Sequence, residues 1–310
     1  MTQISPGART SRPMGGASGD DAIDRAAIDA ELARAAEGLT AAMHPPVRDA
    51  VRYALAGEGK RLRALLVLWS YRAAGGTGDA SRLAAAVEVV HAYSLVHDDL
   101  PCMDDDDVRR GRPTVHRAFG VDAATAAGLA MVPLAARLVL EGAAALELPP
   151  QATSGILRRL MIAAGGGGMI GGQLLDLDGE GRSLSLRELE QVHRGKTGAL
   201  IAASAQVGGM AAGASARKVA ALERYGAAVG LAFQIVDDVL DVTATSAELG
   251  KTAGKDQAVQ KSTYPALLGL DGAGARARML VDEGCGALEM EHLLTPALAR
   301  LARFAIERRS

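Results

Sequence analysis

The stretch 222–242, LERYGAAVGLAFQIVDDVLDV, decides the fold class. Leu222, Tyr225, Val229, Phe233 and Val236 recur at spacings of three and four, which is one stripe of a helix. The stripe runs into Asp237, Asp238 and Asp241. Asp237 and Asp241 are four apart, so a helix sets them one turn apart on one face. Residues 83–97 read the same way. Leu83, Val87, Val89, Val90, Leu95 and Val96 make that segment apolar on most faces, as in a helix buried inside a bundle. It too ends in carboxylates, Asp98 and Asp99, followed by Leu-Pro-Cys-Met and Asp104–Asp107.

Outward from these two helices the pattern repeats. Hydrophobic residues make up 49% of the 310, aromatics only 3%, and alanine and leucine carry most of the apolar content. Both are strong helix formers. Gly75-Gly76, Pro149-Pro150, Gly179–Gly181, Gly208-Gly209 and Gly272–Gly274 read as breakers between helices. No alternating strand pattern of useful length, no fixed-period repeat and no long linker interrupts them. The expectation is an all-α chain: residues 1–19, rich in Gly, Ser, Pro and Arg, as a disordered leader, and 20–310 as one large helical bundle. The most apolar stretch, 123–136, contains Thr125, Gly128 and Pro133 and falls short of the ~20 residues a spanning helix needs, so no membrane span is expected. A net charge of -2 gives no reason to expect a nucleic-acid partner. Cys102 and Cys285 belong to no CxxC or Cys/His spacing, which argues against a disulfide framework or zinc site and fits a reducing cytoplasm.

Clustered carboxylates directly after an apolar helix sit at the rim of a core and repel one another unless a cation intervenes. Hard oxygen ligands suit Mg²⁺, which takes one or two carboxylates, waters and substrate phosphates. Basic groups lie close in sequence. Lys60 and Arg63 are three apart and are expected on one helical face; Arg109 and Arg110 follow the first acidic cluster; Lys196, Lys251 and Lys261 come later. Arginine meets phosphate through a planar fork and lysine as a point charge. Taken together these groups point to a diphosphate site. Gly195-Lys196-Thr197 ends like a nucleotide-binding P-loop, but position 190 is Glu190 where that loop needs glycine, and no strand precedes it. Gly165–Gly168, Gly171 and Gly172 read as permitting close helix packing. His91, Gln173 and Gln234 read equally well as satisfied core groups or as site residues.

These motifs, in order, resemble a family: GKRLR (59–63), HAYSLVHDDLPCMDDDDVRRGRPTVH (91–116), GGQLLDL (171–177), GKTGAL (195–200), FQIVDDVLDV (233–242), LGK (249–251) and KSTYPALLGL (261–270). The chain is similar to bacterial short-chain trans-polyprenyl diphosphate synthases of the farnesyl and geranylgeranyl type, from about Val47 onward. The resemblance implies an isoprenoid-synthase bundle around a deep apolar cavity, usually a homodimer, joining isopentenyl diphosphate to an allylic diphosphate. It implies about three Mg²⁺ per site. Asp98, Asp99 and Asp104 would hold metal in the first motif, and Asp237 in the second with Asp238 and Asp241 assisting. Arg109, Lys196 and Lys251 would clasp the allylic diphosphate, with Thr197, Gln234 and Lys261 nearby. Lys60, Arg63, His91 and Arg110 would hold isopentenyl diphosphate. Two departures stand out: Ala64 where relatives carry Pro, and Leu129 where they carry Asp, which is expected to disturb helix contacts near the cavity. A class I terpene cyclase lacks the second aspartate motif and the GKRLR segment, and non-catalytic subunits usually lose one aspartate motif; both motifs are complete here. Tyr93 and Ser94, about one turn before Asp98, would form the cavity floor, and an aromatic there implies a C15 product, farnesyl diphosphate, with a C20 product as the alternative.

Overall fold

The computed structural model describes residues 19–243 and 262–308. The expected leader, 1–19, lies outside the described residues except for Gly19, which opens the first helix; Lys251 and Lys261 lie outside them as well. The helices are α1 (Gly19–Arg34), α2 (Pro45–Leu55), α3 (Leu62–Ala73), α4 (Ser81–Asp98), α5 (Val115–Phe119), α6 (Val121–Ala145), α7 (Pro150–Ala164), α8 (Met169–Asp178), α9 (Leu186–His193), α10 (Ala199–Ala211), α11 (Ala216–Thr243), α12 (Tyr264–Glu289) and α13 (Pro296–Glu307). Local chemistry sets several of their starts. Proline, which lacks an N–H to leave unpaired, stands in the first turn of α2, α7, α12 and α13. Ser185 and Glu188 form a reciprocal capping box at α9.

α3, α4, α10 and α11 form the centre of the bundle. α4 packs along α6 and α3, α10 along α3 and α11, and α11 along α12. The stripe read from the sequence faces inward: Leu222 and Tyr225 are fully buried, and the Tyr225 hydroxyl donates to the Leu298 carbonyl at 2.6 Å. Two two-residue strands, Val108–Arg109 and Arg112–Pro113, pair antiparallel just after the first acidic cluster. Arg110 and Gly111 turn the hairpin with φ of 53° and 76°. Positive φ at both central residues matches the right-handed twist of a tight hairpin and folds the chain straight back.

Some sequence expectations need correcting. Gly208-Gly209 lies inside α10, where a Cβ on Gly208 would collide with the Val67 carbonyl and Tyr71 N; the glycine lets α10 press against α3. Gly272–Gly274 lies inside α12, whose break falls earlier, at Gly269 with φ 70°. Lys60 does not share a helix with Arg63, because Arg61 adopts φ 52° and α3 begins only at Leu62. The apolar stretch 123–136 belongs to a 25-residue helix that passes through Pro133. That helix, 150–178 and α11 are long and apolar enough to cross a bilayer by length and composition. In the bundle, α6 spends this character on packing: Ala124, Ala127, Met131, Leu134, Ala135 and Leu138 are buried.

The sequence pattern also hides a polar anchor. Asp24 on α1 is buried and accepts from Trp69 Nε1 at 3.0 Å and from Arg72 at 2.7 and 2.6 Å. Asp21 on the same helix pairs with Arg300 of α13 at 2.8 Å. Removing Asp24 strands the buried Trp69 N–H without an acceptor, while Arg72, its side chain half exposed, can turn to water. Asp24→Ala is therefore expected to cost about 1–3 kcal/mol of unfolding free energy and Asp24→Asn less. Urea denaturation followed by Trp69 fluorescence measures both; an unchanged midpoint for the alanine variant would contradict this role for α1.

Candidate active site

Asp98 is the last residue of α4 and Asp99 its cap, so the first motif begins where a buried helix reaches the rim of the bundle. Burial, opposed by the charge of Lys196 and reinforced by Asp104, pushes the Asp98 carboxyl from 3.8 up to about 6. Asp99 is also pushed up by burial, opposed by Arg109, whose Nε donates to Asp99 Oδ1 at 2.7 Å and whose Nη2 lies 2.6 Å from the same oxygen. The hairpin delivers Arg109 to this place, ten residues beyond its partner. Asp98, Asp99 and Asp104 do not bring three ligand atoms within 4.8 Å of one another. Among the described residues, Asp105, Asp107 and His116 do, with Asp107 also paired to Arg117.

The second motif lies on the last two described turns of α11. Asp237 pairs at 2.7 Å with Arg308, which stacks on Phe233 at 3.6 Å and donates to the Phe233 carbonyl at 2.8 Å. Asp238 is buried, accepts from the Tyr264 backbone N–H at 3.0 Å and lies 3.5 Å from His193 Nε2. The His193 ring stacks on Tyr264. Asp241 is buried too, and its Oδ2 has no hydrogen-bond partner among the described residues.

Basic side chains line the space between. Lys60 lies over the Phe304 ring at 5.3 Å; burial lowers its ammonium pKa, and it senses the charges of Arg308, Asp237 and Arg110. The Arg63 guanidinium is held down by burial as well, and its Nη1 donates to His91 Nε2 at 3.3 Å. Burial, followed by the charges of Arg63 and Arg110, drives His91 well below its ordinary pKa, so the ring is neutral and accepts. Arg110 donates to the Glu58 carbonyl across the mouth of the same region. Lys196 sits in a π-helical turn, Arg194–Gly198, between α9 and α10, with buried Thr197 beside it. Its ammonium is 2.7 Å from Asp176 on α8, and the charges of Asp176, Asp104 and Asp98 outweigh the burial that opposes its charge. Gln234 is part-buried on α11. Gln173 is buried with neither amide atom partnered among the described residues.

Tyr93 is buried on α4, its ring edge-on to His97, and its hydroxyl donates to the Ala164 carbonyl at the end of α7 at 3.1 Å. Ser94 Oγ donates to the His91 carbonyl at 2.9 Å. Leu129 is 63% exposed, so the expectation that it disturbs the cavity is corrected: Gly128 faces His97 with no room for a Cβ, and the next position on α6 turns outward. Asp176, Arg308, His193 and Tyr264 escaped the sequence reading. Asp176 carried a signal, being the carboxylate three residues after Gln173 in an apolar segment; the other three contacts span 26 to 75 residues.

Two carboxylate clusters at the ends of two buried helices, with a group of electrostatically linked cations about them, describe an anion-handling enzyme built from a helical bundle. The chain belongs to the polyprenyl synthetase family, whose model matches residues 44–289. It is 46% identical to a farnesyl diphosphate synthase of Escherichia coli, over 85% of this chain and 89% of that one. It is 42% identical to a chloroplastic geranylgeranyl pyrophosphate synthase of Capsicum annuum, over 78% and 66%. A crystal structure of an FPP/GFPP synthase from Zymomonas mobilis superposes with a TM-score of 0.80 at 32% identity, covering 93% of this chain and 99% of that one.

The Asp98 shift has a consequence for stability. A carboxyl whose folded pKa is raised from 3.8 to about 6 binds its proton more tightly when folded. Its favourable contribution is complete below the unfolded value and is lost as pH rises through that window, leaving a full penalty above it. Metal-free Asp98→Asn is thus expected to be more stable than the parent at pH 7.5, by about 1–3 kcal/mol, and no more stable at pH 4. Thermal unfolding in chelator at both pH values is the measurement, and equal gains at both would remove the ionisation argument.

Proposed function

We propose that the chain condenses isopentenyl diphosphate with dimethylallyl and then geranyl diphosphate, giving farnesyl diphosphate. The observation that carries this reading is that both aspartate clusters are supplied with cations. Arg109 and Lys196 accompany Asp98, Asp99 and Asp104, Lys60 and Arg63 sense Asp237, and Arg110 joins the two groups, sensing Arg109 and Asp99 while its charge acts on Lys60 and Arg63. Two diphosphates need cations at both clusters, whereas hydrolysis or cyclisation of one substrate needs them at one.

The donor set fits Mg²⁺. Asp241 Oδ2, buried and without a hydrogen-bond partner among the described residues, and Asp98, whose charge burial disfavours, are both hard oxygen donors. Asp98, Asp99 and Asp104 on one side and Asp237 and Asp241 on the other would hold the ions, with Asp238 locking the second helix in place. Bound there, Mg²⁺ neutralises the allylic diphosphate and makes it a good leaving group. Arg109 and Lys196, with Thr197, Gln234, Lys251 and Lys261 nearby, would bind its oxygens. Lys60, Arg63, neutral His91 and Arg110 would fix isopentenyl diphosphate, whose own C–O bond stays intact. The allylic C–O bond breaks with its electron pair leaving on the diphosphate; the isopentenyl double bond supplies the pair for the new C–C bond; one proton departs to the released diphosphate. Apolar walls keep water from the allylic cation.

The product length follows from Tyr93. Pinned at its hydroxyl to Ala164, the ring stands below Asp98 and, with Ser94, would close the cavity beneath a growing chain. Purified protein with Mg²⁺ and labelled isopentenyl diphosphate should convert geranyl diphosphate to a C15 product, lose turnover in chelator and regain it with Mg²⁺. Tyr93→Ala should shift the product to C20 or longer on chromatography. A parent enzyme yielding mainly C20 would place the floor elsewhere, and turnover undiminished in chelator would sink the metal reading.

The same reading makes the enzyme a homodimer in the cytoplasm, without a membrane span. In support, Leu129 and Leu140, on one face of α6, are each more than half accessible, an apolar stripe a second copy would cover. Leu129→Asp with Leu140→Asp should convert the dimer to monomer in light-scattering chromatography, leaving helicity unchanged. An unaltered mass would move the interface off α6.

A further inference from the structure

Lys196 faces a competition that its position alone does not resolve. Its ammonium senses Asp176, Asp104 and Asp98 together. A flexible lysine next to two metal-binding carboxylates would pair with them and stand where the ions belong. In the structure it does not: its Nζ is 2.7 Å from Asp176 Oδ2, with both side chains largely shielded, 24% and 16% exposed. Shielding lets such a pair persist where an exposed one would exchange freely.

The register between α8 and the π-helical turn sets this pairing. A Cβ on Gly172 would collide with Lys196 N and the Gly195 carbonyl carbon, so the two backbones touch there. Asp176 follows Gly172 by four residues, on the same face of α8 one turn further along. Its carboxylate therefore runs beside the lysine stem rather than reaching it by chance. The π-turn inserts an extra residue into the helical run at this point, a feature that often re-aims side chains at functional sites.

We infer that Asp176 is the positioning residue for Lys196: it holds the ammonium against the cavity wall, off Asp98 and Asp104, so that metal sites and allylic diphosphate clasp can be occupied together. The inference rests on the proposed assignment of the first aspartate motif and Lys196 to the allylic substrate. No atom of Asp176 needs to touch substrate. Its effect belongs to allylic binding and to metal occupancy, and not to isopentenyl diphosphate, whose proposed cations Lys60 and Arg63 sense Asp237.

The test uses the full chain without isopentenyl diphosphate, so that nothing turns over. Geranyl diphosphate binding is measured by calorimetry at saturating Mg²⁺, and Mg²⁺ alone by its thermal-shift midpoint. Asp176→Asn should weaken geranyl diphosphate about tenfold or more and raise the Mg²⁺ midpoint several-fold, as the released lysine turns to Asp98 and Asp104. Asp176→Glu should recover most of both. In steady state the KM for isopentenyl diphosphate should stay within about twofold. If the single variant folds poorly, the cycle with Lys196→Gln decides: once the lysine is neutral, adding Asp176→Asn should change geranyl diphosphate binding by less than about twofold. A further tenfold loss on that background, or parental affinities in folded Asp176→Asn, would overturn the inference. Parent protein that binds no geranyl diphosphate with Mg²⁺ would instead overturn the site assignment beneath it.

Discussion

Like-charged carboxylates massed at the rim of an apolar bundle are the constraint around which the remaining structure is organised. α4 ends at Asp98, where the helix already presents the negative end of its macrodipole. Burial pushes that carboxyl towards protonation, and Asp104 adds to the repulsion. Asp237, Asp238 and Asp241 concentrate a second charge on α11. A fold seeking stability alone would place none of these groups there. The cost is tolerable because the hydrophobic centre, from Leu65 and Val67 through Val87 and Val90 to Leu222 and Ile235, is almost wholly dry.

Given that constraint, much of the local structure reads as a means of delivering positive charge. The hairpin at Arg110-Gly111 reverses the chain so that Arg109 returns to Asp99. The left-handed Arg61 turns the 59–63 segment so that Lys60 stays outside α3 against Phe304 while Arg63 enters the helix beside His91. The last described turn of α13 leads to Arg308, clamped between Phe233 and Asp237. Each device is local in geometry but non-local in partner, which separates what can be read from the sequence from what cannot.

The helical class, the two buried helices and their terminal carboxylates were legible because 3.6-residue periodicity and terminal charge are local signals, as at Leu222–Val236 and Leu83–Val96. The breaker reading failed where glycine serves packing instead of turning: Gly208 sits mid-helix because the α3 backbone needs its missing side chain. The placing of Lys60 failed because one left-handed residue cannot be inferred from composition. Leu129 was misjudged because its orientation depends on which side of α6 meets His97. Nothing local marks Asp21 and Asp24 as interior groups; only the distant partners Trp69, Arg72 and Arg300 make them so.

Within each cluster the carboxylates divide their labour. Asp99 is engaged at Oδ1 by the Arg109 guanidinium and Asp238 by a backbone N–H and the neighbourhood of His193; both are bound into the protein's own framework. Asp98 and Asp241 differ: one is strained by burial, and the other keeps an oxygen with no protein partner among the described residues. Asp237, held by a terminal arginine, is intermediate, since an arginine stacked on Phe233 can stay in place while the carboxylate turns to another cation. Fixing one aspartate while leaving its neighbour under-satisfied solves a geometric problem. Under the proposed assignment the fixed residue would set the direction of the helix end and lend at most its free lone pairs, and the strained one would supply most of the affinity, because the electrostatic penalty of its burial would be relieved by a cation. Adjacent aspartates of identical chemistry can thereby serve opposite ends, with burial and hydrogen bonding alone telling them apart.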